Sequence, residues 1–202
     1  MDQLRHQLKS IALVIAACLA PAACGSDGRA AHAEAATHVD SIVPRDVALA
    51  RFRSGLVEPP SLSGGAPSRE VLVREFIAAL ERRDTVTLHG LLMTRAEFAF
   101  LYYPTNPEGL PPYDLSPGLM WFLLEGNSQR GLSHAFEDRG GRRLRYLGVH
   151  CQPPLQQGEN TVWAGCVVSR QQAPGDTVIE LLFGPIIERG GRFKFISYAN
   201  KL

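Results

Sequence analysis

The chain has no apolar run long enough for an ordinary membrane-spanning helix. Its longest, from Ile11 to Ala23, covers 13 residues and already contains Pro21, whereas roughly 20 apolar residues are needed to cross the hydrocarbon core. Cysteine is scarce: Cys18, Cys24, Cys151 and Cys166 are the only four. No C-x-x-C or H-x-x-x-H spacing occurs, and His32, His38, His89, His134 and His150 are scattered, so nothing suggests a metal site. No G-x-S-x-G, H-E-x-x-H or Gly-rich phosphate loop is present. The two "GGR" triplets, at Gly140 and Gly190, read as turns, and no cofactor is expected. Charge of one sign is also missing. Lys and Arg number 21 against 20 Asp and Glu, which speaks against nucleic acid as a partner and against a polybasic membrane contact.

What is present begins at the N-terminus. Arg5 and Lys9 precede the apolar run and small residues follow it, the layout of a secretory signal. The ending resembles a bacterial lipoprotein signal, in which a cysteine becomes the mature N-terminus and carries the lipid. Pro21-Ala22-Ala23-Cys24 is favoured, because Gly25-Ser26-Asp27-Gly28 reads as a flexible tether; Ile15-Ala16-Ala17-Cys18 is the alternative. Plain secretion, with cleavage after Ala31-His32-Ala33, is the other reading. Residues 1–23 are thus expected to be signal, and the mature chain keeps 19 basic and 19 acidic residues. The expected location is the cell envelope, outside the cytoplasm, with the membrane engaged through an N-terminal lipid; a secreted or periplasmic protein is the alternative.

Residues 24–67 read as a tether with one short amphipathic helix, "PRDVALARFRSGL", docked on the main body. The domain proper is expected over 68–202. "SREVLVREFIAALERRD" is the clearest helix. Ser68 can cap it, and Val73, Phe76, Ile77 and Leu80 form one apolar stripe. Asp84 can cap a second helix, "TVTLHGLL", and "RAEFAFLYY" gives a third that stops at Pro104. Beyond a loop with four Pro in 12 residues, Ser116 and Pro117 open a longer helix that Gly140 and Gly141 end.

From there the pattern becomes extended, and helices followed by antiparallel strands give an α+β fold. "RRLRYLGVHC" and "TVWAGCVVSR" form a hairpin centred near Gly158 and Glu159, which sets Cys151 opposite Cys166 and Val149 opposite Val168. Directly opposed residues in a non-hydrogen-bonded pair lie about 4.5 Å apart, within reach of a disulfide, and an oxidising compartment preserves such a bond. A second hairpin turns at Gly190-Gly191 and sets Ile186 opposite Phe195 and Glu188 opposite Phe193. Carried further, this register puts Val178, Glu180 and Leu182 on the same face and Glu180 opposite Lys201.

With its Asp84 junction and terminal hairpins, "FIAALERRDTVTLHGLL" resembles the opening of nuclear-transport-factor-2-like domains, also called SnoaL-like or ketosteroid-isomerase-like. The resemblance covers Ser68 to Leu202 and implies a cone of helices on a strongly curved antiparallel sheet, with a pocket inside. Some members of that family are isomerases, dehydratases or cyclases, and others bind ligands or partners.

For an acid–base reaction the chain offers little. The first long helix presents no inward Tyr or His, so no catalytic residue is favoured; Glu180, with Tyr102 or Tyr103, is the weak candidate set. Tyr102, Tyr103, Tyr113 and Trp121 flank the Pro-rich loop and are the candidate ligand-binding residues, with core packing as the alternative for Trp121 and Phe122. The expected function is binding of a small apolar ligand or a protein partner without chemistry. A cofactor-free isomerase or dehydratase is the alternative, and a structural envelope protein, dimerising through its sheet face, the second.

Overall fold

Helix α1, Arg45–Arg53, follows Pro44 and carries Asp46 in its first turn, as the sequence predicts. It is part of the body. Phe52 is buried, and Leu49 and Leu56 pack on the same cluster. Downstream, Leu62 and Ala66 are buried, and Ala66 exchanges both backbone hydrogen bonds with Phe193, at 3.0 and 2.9 Å. Gly65 passes so close that a Cβ there would lie 2.7 Å from the Phe193 carbonyl oxygen. The boundary expected at Ser68 is thus too late, because 44–67 packs into the domain. The computed structural model describes residues 43–200, which belong to one compact unit. Cys18, Cys24 and Lys201 lie outside the described residues. No described helix is long and apolar enough to cross a membrane.

Helix α2, Arg69–Arg82, is capped by the Ser68 hydroxyl, which accepts the Val71 N–H, and all four stripe residues are buried. Asp84 caps α3, Thr85–Gly90, accepting from the Thr87 N–H at 3.0 Å and the Thr87 hydroxyl at 2.7 Å. These bonds hold its carboxyl below the ordinary carboxylate range. Helix α4, Arg95–Glu97, begins with a reciprocal cap between Thr94 and Glu97. The chain then widens into a π turn over Phe98–Tyr102 and tightens again through Tyr103–Thr105. Helix α5, Pro117–Arg139, is capped by Ser116 and passes Gly126 and Gly131 unbroken. Gly131 has a packing reason: a Cβ there would overlap the Tyr198 carbonyl oxygen.

Seven strands follow: β1 Tyr146–His150, β2 Leu155–Gln157, β3 Asn160–Trp163, β4 Val167–Ala173, β5 Asp176–Glu180, β6 Ile186–Arg189 and β7 Arg192–Phe195. They form two antiparallel sheets, β1-β4-β5 and β2-β3-β6-β7, so the fold is α+β. The chain runs through both as a meander of long strands broken in the middle. One register pairs Val149 with Val168 on one side of the break and Leu155 with Val162 on the other, which is the hairpin the sequence predicts. The Cys151–Cys166 disulfide spans that break, with Cα atoms 3.9 Å apart. The Gly190-Gly191 hairpin also has its expected register, Ile186 opposite Phe195 and Glu188 opposite Phe193.

Two apolar clusters fill the body. Phe76 meets Phe183, Phe195 and Tyr198, centroids 5.2–5.5 Å apart. Phe98 meets Phe52, Tyr102, Tyr103 and Trp121, at 5.3–6.1 Å. Close to the second cluster lies a buried ion pair. Glu97 and Lys194 meet at 2.9 Å with side chains 0% and 2% exposed. Ser63 donates to Glu97 through its N–H and hydroxyl, Thr94 through its N–H, and Lys194 also donates to the Ser63 carbonyl. Burial alone would raise the Glu97 carboxyl, but the Thr94 N–H, the Lys194 ammonium and the Ser63 N–H outweigh it, and the carboxyl sits low.

Candidate functional site

A cleft of about 500 Å³ lies between α5 and the segment linking α3 to α4. The helix period builds one wall: Trp121, Leu124, Ser128, Leu132 and Phe136 recur every three or four residues along α5 and line it. Leu92, Met93 and Ile196 complete the apolar surface. The rims are polar, with His89, Thr94 and Arg95 on one side and Glu125, Gln129 and Ser133 on the other. Ser128 is already engaged, its hydroxyl accepting the Tyr198 N–H at 3.0 Å. The Arg95 guanidinium lies over the Phe52 ring, 4.6 Å from its centroid.

Of the four aromatic candidates, only Trp121 lines this cleft. Tyr102 and Tyr103 are buried in the second apolar cluster. Burial, then the Glu108 charge, pushes the Tyr102 phenol above its ordinary range, and Tyr103 donates to the Leu115 carbonyl at 2.8 Å. Both are core residues. Tyr113 is 67% exposed in the Pro-rich loop. Phe122, for which core packing was the alternative, is 69% exposed, and Leu119 and Leu123 beside it are also exposed.

Glu180 stands elsewhere, at the end of β5. The strand expected to run on to Ile186 breaks there, so the shared face with Leu182 and Ile186 does not form. Glu180 pairs across the sheet with Val168. The expected partner Lys201 lies outside the described residues, and the observed partners are two arginines. Arg170 donates to the carboxylate at 2.9 and 2.6 Å, and Arg139 at 3.0 and 2.5 Å. The Arg170 bonds, opposed by burial and reinforced by Arg139, pull the Glu180 carboxyl down to about 2. A general acid or a poised base needs the opposite shift. Glu180 borders a smaller hollow of about 240 Å³ with Arg139, and neither Tyr102 nor Tyr103 lines it. The structure does not bring the candidate acid–base set together.

Among the described residues, no group of three His, Cys, Asp or Glu side chains could hold a metal ion. The cleft itself escaped the sequence reading. Its α5 wall repeats at helical spacing, but that spacing describes a face packed on a core equally well. The signal for a hollow is the short bridge from Leu91 to Thr94, whose path no local rule sets. No family model matches the chain, and neither a curated protein nor a solved structure matches it.

Proposed function

We propose that this is an exported envelope protein, anchored by a lipid on Cys24, whose nuclear-transport-factor-2-like body binds a small apolar ligand without transforming it. The observation that carries this reading is the cleft beside α5: its volume lies in the range of ligand sites, and an apolar stripe between two polar rims supplies both the contact area and the orienting groups that such sites use. The acid–base alternative loses support from Glu180, which is committed to Arg139 and Arg170. The broken antiparallel meander sharing its core with helices accords with the cone-like family, and the Cys151–Cys166 bond accords with an oxidising compartment.

Native purification followed by mass spectrometry tests the binding reading. A small apolar molecule is expected to co-purify, and Gln129→Trp, which sets a large ring over the cleft from an exposed position, is expected to abolish it. Retention unchanged by that substitution would place the ligand elsewhere. For the anchor, Cys24→Ala is expected to release the protein from the membrane or leave it unprocessed. Loss on Cys18→Ala alone would move the lipid to Cys18, and a freely soluble chain starting after Ala33 would remove the lipid altogether.

A second reading has its own observation. Leu119, Phe122 and Leu123 are exposed together on one face of α5, which suits a protein partner or a second copy of this chain.

A further inference from the structure

Resting on the binding reading above, we propose that the cleft takes a single-chain amphiphile with an anionic head, of the long-chain carboxylate class, lying along α5 with its head at the Arg95 rim.

Dimensions decide the chain. The lining positions on α5 run from Trp121 to Phe136, a length of about 22 Å at 1.5 Å per residue. A hollow of about 500 Å³ drawn out along that wall is long and narrow. An α-helix is 10–12 Å across with its side chains, so a partner helix would stand proud of the groove. An extended polymethylene chain lies along it. The surface such a chain would meet, from Trp121 through Leu124 and Leu132 to Ile196, is apolar apart from Ser128, whose hydroxyl accepts the Tyr198 N–H. Each methylene removed from water contributes about 0.8 kcal/mol.

Charge decides the head. Arg95 makes no ion pair among the described residues; its guanidinium is stacked on Phe52. The contact with the ring uses a face of the guanidinium and no N–H, so its donors stay available to a carboxylate, which a guanidinium can grip through two parallel hydrogen bonds. His89 and Thr94 stand on the same rim, the Thr94 hydroxyl accepting the Glu97 N–H. The opposing charge is Glu125, exposed on the α5 rim; it disfavours an anion on that side and so directs the head towards the Arg95 side.

The test uses the full chain and three probes sharing one tail: dodecanoate, dodecanol and dodecyltrimethylammonium, each below its aggregation threshold. Trp121 emission reports occupancy, with Trp163→Phe removing the other tryptophan, and calorimetry on the unaltered chain repeats the ranking. Dodecanoate is expected to bind about fivefold more tightly than dodecanol, the scale of one partly exposed ion pair, and the cation most weakly. Each added methylene is expected to tighten binding about fourfold until the groove is full. Arg95→Gln is expected to erase the preference for the anion, and Arg95→Lys to keep much of it. Equal binding of all three probes, insensitive to Arg95→Gln, would overturn this inference and leave the binding reading standing. Binding of none would overturn both. A dimer that buries the cleft and that dodecanoate does not dissociate would assign the groove to a second copy instead.

Discussion

The two halves of the broken meander are held in different ways. In the four-stranded half, Asn160, Val162, Ile186, Ile187, Lys194 and Phe195 are buried, and β7 is tied to Ala66 and, through Phe195, to Leu91 and Met93. The three-stranded half has two free edges. Only Val168 among its strand residues is fully buried, while Leu147 and Ile179 are exposed. What that half lacks in burial it has in cross-links: the Cys151–Cys166 bond at its junction and the Arg139–Glu180–Arg170 cluster on its inner side. Where a sheet buries little apolar area, covalent and ionic ties fix the register that packing fixes elsewhere.

The sharpest way to break the contrast is to disturb the packed half from inside. Glu97→Ala leaves the Lys194 ammonium buried without its carboxylate, and the expected loss is about 3–5 kcal/mol, read by chemical denaturation. The double substitution Glu97→Leu with Lys194→Met removes both charges and is expected to recover most of that loss. A loss below about 1 kcal/mol for Glu97→Ala would mean that the ammonium reaches water, since exposed pairs contribute no more than that.

The second test acts on the cross-linked half. The disulfide closes a loop of 15 residues, for which the chain-entropy model gives about 3 kcal/mol. Cys151→Ser with Cys166→Ser is expected to cost about that much. It should speed amide exchange in β1, β4 and β5 well before β3, β6 and β7, because local opening follows local stability. Equal acceleration throughout would show the meander to be one cooperative unit.

How much of this was legible in the sequence follows the range of the forces involved. The caps at Ser68, Asp84 and Ser116 are local side-chain-to-backbone bonds, and each stands where its residue type places it. Both hairpin registers were legible because a turn of fixed length sets the pairing of every residue beyond it. The break across the middle of the long strands was not. "TVWAGCVVSR" reads as one strand, yet Gly165, in the left-handed region at φ +59°, parts β3 from β4. A second break, between Glu180 at the end of β5 and Ile186 at the start of β6, takes Glu180 out of the register carried back from Gly190-Gly191, since a register is worth nothing past an interruption. The stretch "VEPPSLSGGAPS" reads as a linker because its three prolines and two glycines suit one, whereas Leu62 and Ala66 are buried and Ala66 pairs with Phe193, far along the sequence. The cleft is a space between elements, and no residue's own chemistry announces it.

A third test separates ionic from covalent support. The Glu180 carboxyl is held at about 2 against an ordinary 4.5. A lowered folded-state value means that its contribution is complete above about pH 4.5 and is lost as the pH falls towards 2. Glu180→Gln is expected to flatten that stretch of the stability curve and to cost about 1–2 kcal/mol at neutral pH, where it leaves two guanidinium groups facing an amide. The protein should stay folded and keep its ligand. Loss of activity at unaltered stability would instead restore Glu180 as a reacting group.

The smallest expected change in stability comes from the exposed face of α5, and it sharpens the comparison from outside the sheet. Leu119, Phe122 and Leu123 lie three and four residues apart, so they share one stripe of the helix. Had Phe122 been a core residue, its truncation would cost about 3–5 kcal/mol. At 69% exposed it has little packing to lose, and Phe122→Ser with Leu123→Ser is expected to move stability by no more than about 0.5 kcal/mol. The informative readout is association. A stripe that stays apolar without serving the fold invites contact with another surface. Sedimentation of the unaltered chain over a range of concentrations, against the double variant, decides whether that surface is a second copy. A dimer that the substitutions dissolve assigns the stripe to self-association through α5, in place of the sheet face. Monomers in both samples leave the stripe to a different partner, and a dimer that survives the substitutions returns self-association to the exposed residues of β1 and β5.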